Sequence, residues 1–151
     1  MEELPANPNF KEAIEKLVLA MPAVKFIGMK FTQLNHGSVE IMIPYREELS
    51  FAPGSFQAGP IGMLMDIAAC SAIGTKLPSD WAFSTIDFTT KILAPANGEL
   101  FVARGRAVSS GKTVSVGAAD VFAIKTGRET LCATGLVTTR NFQLNKSVND
   151  V

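Results

Sequence analysis

Residues 56–72 read FQAGPIGMLMDIAACSA, and this stretch decides the fold. Ile61, Met63, Leu64, Met65, Ile67, Ala68, Ala69, Ala72 and Ile73 fall on nearly every face of a helix, and a helix apolar all round is a buried one. Gly74 and Pro78 close it, so a helix is expected over about Gly59 to Thr75. From Leu49 through Thr75 the only charged residue is Asp66. Desolvating a carboxylate costs several kcal/mol unless it is paired or hydrogen-bonded. Asp66 therefore either has a structural partner or is a carboxylate held in an apolar cleft to work as a base or nucleophile. The preceding Gln57-Ala58-Gly59-Pro60 places small residues and free backbone N–H groups at the positive end of the helix, which suits a developing oxyanion. Asp66 lies about two turns, roughly 10 Å, further along. The two features meet on one atom only through substrate, water or a second subunit.

Upstream, Phe10, Ala13, Ile14, Leu17 and Met21 recur at helical spacing, with Asn7-Pro8 or Asn9 as the cap region and Pro22 as the stop. This gives an N-terminal helix within residues 1–22. From Phe26 the period becomes two, through Met29, Phe31 and Gln33. A turn at Asn35-His36-Gly37 then leads to Val39, Ile41 and Ile43, so these residues form a strand pair. Ser50–Pro60 reads as a loop. Downstream, strands are expected over Trp81–Leu93, Leu100–Val108, Val114–Ile124 and Thr130–Thr139. Turns at Ser109–Lys112 and Lys125–Arg128 join the last three into an antiparallel meander. One sheet must wrap the apolar helix, because nothing else covers it. The tail, 143–151, is polar and is expected to fray. No second domain is indicated over residues 1–151.

Composition narrows the functions. The 151 residues are 47% hydrophobic, with 14 basic and 14 acidic side chains, one His and two Cys. This balance argues against nucleic acid, which demands a basic face, and against an anionic membrane surface. The longest apolar stretch falls short of the about 20 residues a span needs. Cys70 and Cys132 sit in apolar runs and read as packing in a soluble, cytoplasmic domain. With His36 alone, in a turn, a His-dependent triad or histidine metal cluster is not expected.

Several segments, in this order and spacing, resemble the hotdog-fold acyl-CoA thioesterases, most nearly the phenylacetyl-CoA (PaaI-like) type. FQAGPIGMLMDIAACSA is similar to that family's His-Gly-Gly followed by a helical Asp. Residues 84–100, STIDFTTKILAPANGEL, are similar to its next strand, Ser109-Ser110-Gly111-Lys112 to its Gly-basic hairpin, and Cys132-Ala133-Thr134-Gly135 to its last strand. The resemblance covers roughly Phe26 to Thr139. It implies an α+β hotdog fold, a curved antiparallel sheet wrapped round one long central helix, here with an extra N-terminal helix.

The resemblance also implies hydrolysis of an acyl-CoA to CoA and a carboxylic acid by a homodimer or homotetramer with its active site between subunits. Asp66 takes the place of the carboxylate that activates water or attacks the thioester. The amide of Ala58, with Gly59, takes the oxyanion position, and Thr85, from the other subunit, holds the water. Phe51, Asp87, Ser110, Gly111 and Lys112 fall on substrate-binding positions. The hairpin, with Arg104 and Arg106, supplies the basic candidates for the CoA phosphates. Coenzyme A is then part of the substrate, and neither a cofactor nor a metal is expected. Gln57 stands where the family usually has His, although its amide still donates a hydrogen bond. Phe51 stands where many members have Asn. These departures support an alternative, a hotdog module that binds acyl-CoA or lipid without turnover. A hotdog dehydratase needs a His before the helix and usually a Glu within it, where this chain has Gln57 and Asp66.

Overall fold

The apolar helix is the centre of the computed structural model, which describes residues 4–144. Two helices come first, α1 (Phe10–Leu19) and α2 (Pro22–Ile27), then β1 (Lys30–Asn35) and β2 (Ser38–Pro44). A short ribbon, β3 (Ser50–Ala52) with β4 (Ser55–Phe56), leads into α3 (Ala58–Gly74). Four long strands follow: β5 (Trp81–Ile92), β6 (Leu100–Ser110), β7 (Val114–Lys125) and β8 (Arg128–Gln143). Six strands make one sheet in the order β1-β2-β6-β7-β8-β5, and every neighbouring pair is antiparallel. The sheet wraps α3, which packs against β2, β5, β6, β7 and β8. This is the α+β arrangement expected.

Glycines let the helix lie on the strands. A Cβ on Gly105 of β6 would run into the Ala68 carbonyl, and one on Gly117 of β7 would stand 3.0 Å from the Ala69 oxygen. One on Gly135 of β8 would strike the Met65 sulfur and the Thr89 carbonyl. Backbone-to-backbone approach of this kind is what glycine in a strand permits. Leu64, Met65, Ala68, Ala69, Ala72 and Ile73 are then sealed between helix and sheet.

The helix is not covered all round, however. Met63, Asp66 and Ile67 are only partly buried, and Gly59 is exposed. Their spacing of four, three and one makes a single stripe down α3. Sequence composition could not separate Met63 and Ile67 of this stripe from the core, because both sets are apolar.

Other differences concern boundaries. Pro22 does not simply end the N-terminal helix but opens α2 at its first position, where the missing N–H costs nothing. Phe26 therefore lies in a helix, and β1 begins only at Lys30. The Ser50–Pro60 loop contains the β3–β4 ribbon. Gln143 belongs to β8, and its Nε2 donates to Asp80 Oδ2 at 2.6 Å, so fraying does not begin there. The rest of the expected tail, 145–151, lies outside the described residues. Among the described residues, no helix is long and apolar enough to cross a membrane.

Candidate active site

Asp66 projects from the half-open stripe of α3 towards β5, the edge strand. Thr85 of β5 donates its hydroxyl to Asp66 Oδ1 at 3.0 Å. Cys70, one helical turn on, places Sγ 3.5 Å from the same oxygen and 3.2 Å from Thr85 Oγ1. Burial, reinforced by the Asp66 charge, pushes the Cys70 thiol up to about 12. It therefore keeps its proton at neutral pH and is not a thiolate nucleophile. Cys132, buried and donating to the Val121 carbonyl at 3.2 Å, is pushed to about 11 by desolvation.

Asp66, Cys70 and Thr85 wall a cavity of about 180 Å³, closed by Val18 and Met21 of the N-terminal segment, Ile67 and Ser71 of α3, and Phe83 of β5. Phe83 packs closely over Gly74, where a Cβ would press on both Phe83 and Ile14. Nothing in the residue pattern of the N-terminal segment signals that it lines the Asp66 cavity. The i, i+4 spacing of Asp66 and Cys70 on α3 is the one sequence signal that could have placed Cys70 at the site.

The resemblance implied that Thr85 would come from another subunit; in the structure it reaches the Asp66 of its own chain. A β-bulge then separates Thr85 from Asp87. The β5–β8 register shifts between Thr85, opposite Thr139, and Asp87, opposite Thr138. Thr85 thus shares the helix-facing side with buried Thr139. Asp87, two residues on, is turned to the outer face, exposed and away from Asp66.

The start of α3 forms a second locus. Gln57 is the N-cap residue, but its side chain makes no capping hydrogen bond. The first amides of a helix have no partner within it, and Pro60 carries no N–H, so Ala58 and Gly59 are the donors there. Gln57 and Ala58 line a cavity of about 650 Å³ with Phe51, Phe56, Ile61 and the segment 92–96. Phe51 is 71% exposed at its mouth. Ala58 and Gly59 also line a smaller hollow of about 190 Å³ with Gly62, Phe88 and Thr90. Within one chain, then, the expected oxyanion donors and the expected carboxylate occupy different cavities. The helical rise puts them about 12 Å apart.

Ser110, Gly111 and Lys112 form a third locus, lining a cavity of about 540 Å³ with His36, Lys76 and Trp81. Asn141 fixes this hairpin: its Nδ2 donates to the Gly111 carbonyl at 2.9 Å and to Ser115 Oγ at 2.7 Å. Arg104 and Arg106 are placed elsewhere. Arg104 holds Glu40 at 2.7 Å and Glu129 through two bonds of 2.9 and 2.6 Å, and it stacks on Phe122 at 4.6 Å. Arg106 faces Asp120 at 3.3 Å. Their charges face carboxylates of their own sheet, away from the Ser110–Lys112 cavity lining.

Solved structures share this architecture. A thioesterase family protein from Silicibacter pomeroyi is 27% identical, with a TM-score of 0.86 over 89% of this chain and 98% of that one. The chain has the hotdog fold of the thioesterase superfamily. A thioesterase from Haemophilus influenzae is 17% identical over 91% of this chain and 94% of its own, with a TM-score of 0.78. The PaaI protein of the E. coli phenylacetic acid degradation operon is 14% identical over 91% and 96%, also with a TM-score of 0.78. No protein-family model and no curated protein matches the chain.

Proposed function

We propose that the chain hydrolyses an acyl-CoA thioester, and that two copies build the site. The carrying observation is the Asp66 carboxylate, set by Thr85 in the wall of an apolar cavity on a half-open stripe of α3. The thioesterase names of the neighbouring structures support the reaction class. In the direct route, Asp66 takes a proton from water as the water oxygen adds to the thioester carbonyl. The amides of Ala58 and Gly59, with the Gln57 amide beside them, hold the oxyanion. The C–S bond then breaks, the carbonyl re-forms, and the proton on Asp66 passes to the departing CoA sulfur. Attack by Asp66 itself, followed by hydrolysis of the anhydride, is the other balanced route. Lys112 and the hairpin amides are the proposed phosphate contacts.

A second copy is part of the proposal because of two unpartnered features. Edge strand β5 exposes Ile86, Phe88 and Ile92, with Leu93 beyond it, and the stripe of α3 is only half covered. An exposed edge of this length calls for a partner. The test is release of free thiol from a panel of acyl-CoA esters. Turnover that saturates with at least one ester supports the enzyme. Saturable binding without turnover would instead establish the binding module, which the Gln57 and Phe51 departures favour.

A further inference from the structure

The thioesterase reading leaves Cys70 without a role, yet its thiol touches both groups at the centre of that reading. We propose that Cys70 is a positioning residue: its S–H and the Thr85 hydroxyl together fix Oδ1 of Asp66, leaving Oδ2 to face the reacting water. The inference rests on the thioesterase reading and on the three-way contact in the Asp66 cavity.

Proton inventory gives the direction of each bond. Thr85 has one hydroxyl proton, and it goes to Asp66 Oδ1 at 3.0 Å. At the 3.2 Å contact between Cys70 Sγ and Thr85 Oγ1, the thiol must then be the donor. The same S–H lies 3.5 Å from Asp66 Oδ1, so its proton is shared between the hydroxyl and carboxylate oxygens. Among the described residues, no hydrogen bond falls on Oδ2. One oxygen is anchored from the helix and from the edge strand, and the other is left for chemistry. Cys70 suits this task because its thiol stays protonated, pushed up to about 12 by burial, and so donates without competing as a nucleophile. The i, i+4 spacing on α3 keeps it beside Asp66 whatever the strand does. Ser71, also in the cavity wall and 1% exposed, makes no such contact, since its Oγ has no protein partner.

The experiment compares the wild-type chain with Cys70→Ala and Cys70→Ser. Loss of one neutral hydrogen bond to the carboxylate should lower kcat about two- to tenfold in Cys70→Ala. KM should stay within about twofold, because Cys70 does not carry the CoA or the acyl group. Cys70→Ser, which keeps a donor, should restore most of kcat. Equal losses in both variants would mark a packing role and overturn the proposal, as would an unchanged kcat in Cys70→Ala. A second readout needs no turnover. The infrared S–H stretch of Cys70, isolated by subtracting the Cys70→Ser spectrum, should rise in frequency in Asp66→Asn as the carboxylate acceptor is weakened. An unmoved band overturns the contact while leaving wild-type hydrolysis standing. A folded wild-type chain that cleaves no ester overturns the thioesterase reading and the positioning role with it.

Discussion

Replacing Asp66 by Asn separates base strength from everything else this residue does. The Asn amide is nearly isosteric, and its carbonyl oxygen can still accept from Thr85 and Cys70, whose present contacts are 3.0 and 3.5 Å. The cavity wall of about 180 Å³ is therefore preserved, and no unpaired charge is left behind. What disappears is the ability to take a proton or to attack. General-base assistance is worth roughly 10²–10⁴-fold, so kcat should fall by at least that range. KM should change far less, because the pantetheine and acyl contacts lie elsewhere. Thr85→Val supplies the internal scale. It removes the hydroxyl donor but leaves the carboxylate, and one such bond is worth about 0.5–1.5 kcal/mol, or about two- to tenfold in kcat. Gln57→Ala should fall between the two if its amide polarises the carbonyl. The assay is steady-state thiol release from a short acyl-CoA, with circular dichroism and melting curves confirming that each variant folds. Full activity in folded Asp66→Asn would refute the reasoning and reduce the carboxylate to a structural member of the Thr85–Cys70 network.

Other outcomes follow from the frame around the site. Gly135→Ala should lower stability by about 1–3 kcal/mol, the usual cost of overpacking a core, because the added methyl meets both Met65 and the Thr89 carbonyl; chemical denaturation reads it, and an unchanged midpoint would refute the close approach. Arg104→Met should lower Tm at neutral pH by about 2–4 °C, the equivalent of about 1 kcal/mol for a largely exposed network. Glu129 is held below its usual value of 4.5 by the Arg104 hydrogen bonds; burial works against Glu40, but Arg104 and Thr32 outweigh it. A depressed folded value means stability present above the unfolded value and lost as pH falls through the folded one, so the difference between wild type and variant should shrink below about pH 4.5. Lys112→Ala should raise KM for CoA esters but not for pantetheine esters lacking the nucleotide, and an equal effect on both would remove Lys112 from phosphate binding.

The sequence carried the large features because they rest on strong local signals. An all-round apolar helix interrupted by one carboxylate is legible at Ile61–Ile73, and so is a meander punctuated at Gly111 and Gly127. What stayed hidden depended on register and on surfaces that face nothing in the chain. A strict period of two puts Thr85 and Asp87 on one face of β5, and both were expected at the site. The bulge between them turns Asp87 outward, and no residue type there announces it. Cys70 looked like packing because thiols in apolar runs usually are; only the strand crossing beside it brings a hydroxyl to 3.2 Å. Arg104 and Arg106 looked free because their carboxylate partners are supplied by β2, β7 and β8 across the sheet.

The separation of about 12 Å between Ala58 and Asp66 has a consequence that mixing can test. A thioester carbon under attack needs its oxyanion donors and its base within a few ångströms of one reacting centre, so the proposed pairing of Ala58 with Asp66 requires two copies. If the amides come from one copy and the carboxylate from another, two differently damaged chains should repair each other. One is Asp66→Asn. The other is Ala58→Pro, which deletes an amide donor at the first position of α3, where proline is tolerated. Gln57 before it already has φ −69° and ψ 150°, the extended conformation a following proline requires. Each variant alone should be almost inactive. Dissociated, mixed in equal amounts and reassociated, they should form about half heterodimers, each with one intact site of two. Specific activity should therefore recover to about a quarter of wild type. Mixing without recovery, with subunit exchange confirmed by mass spectrometry of labelled chains, would show that donors and carboxylate do not meet across copies, and the two-copy site would have to be abandoned.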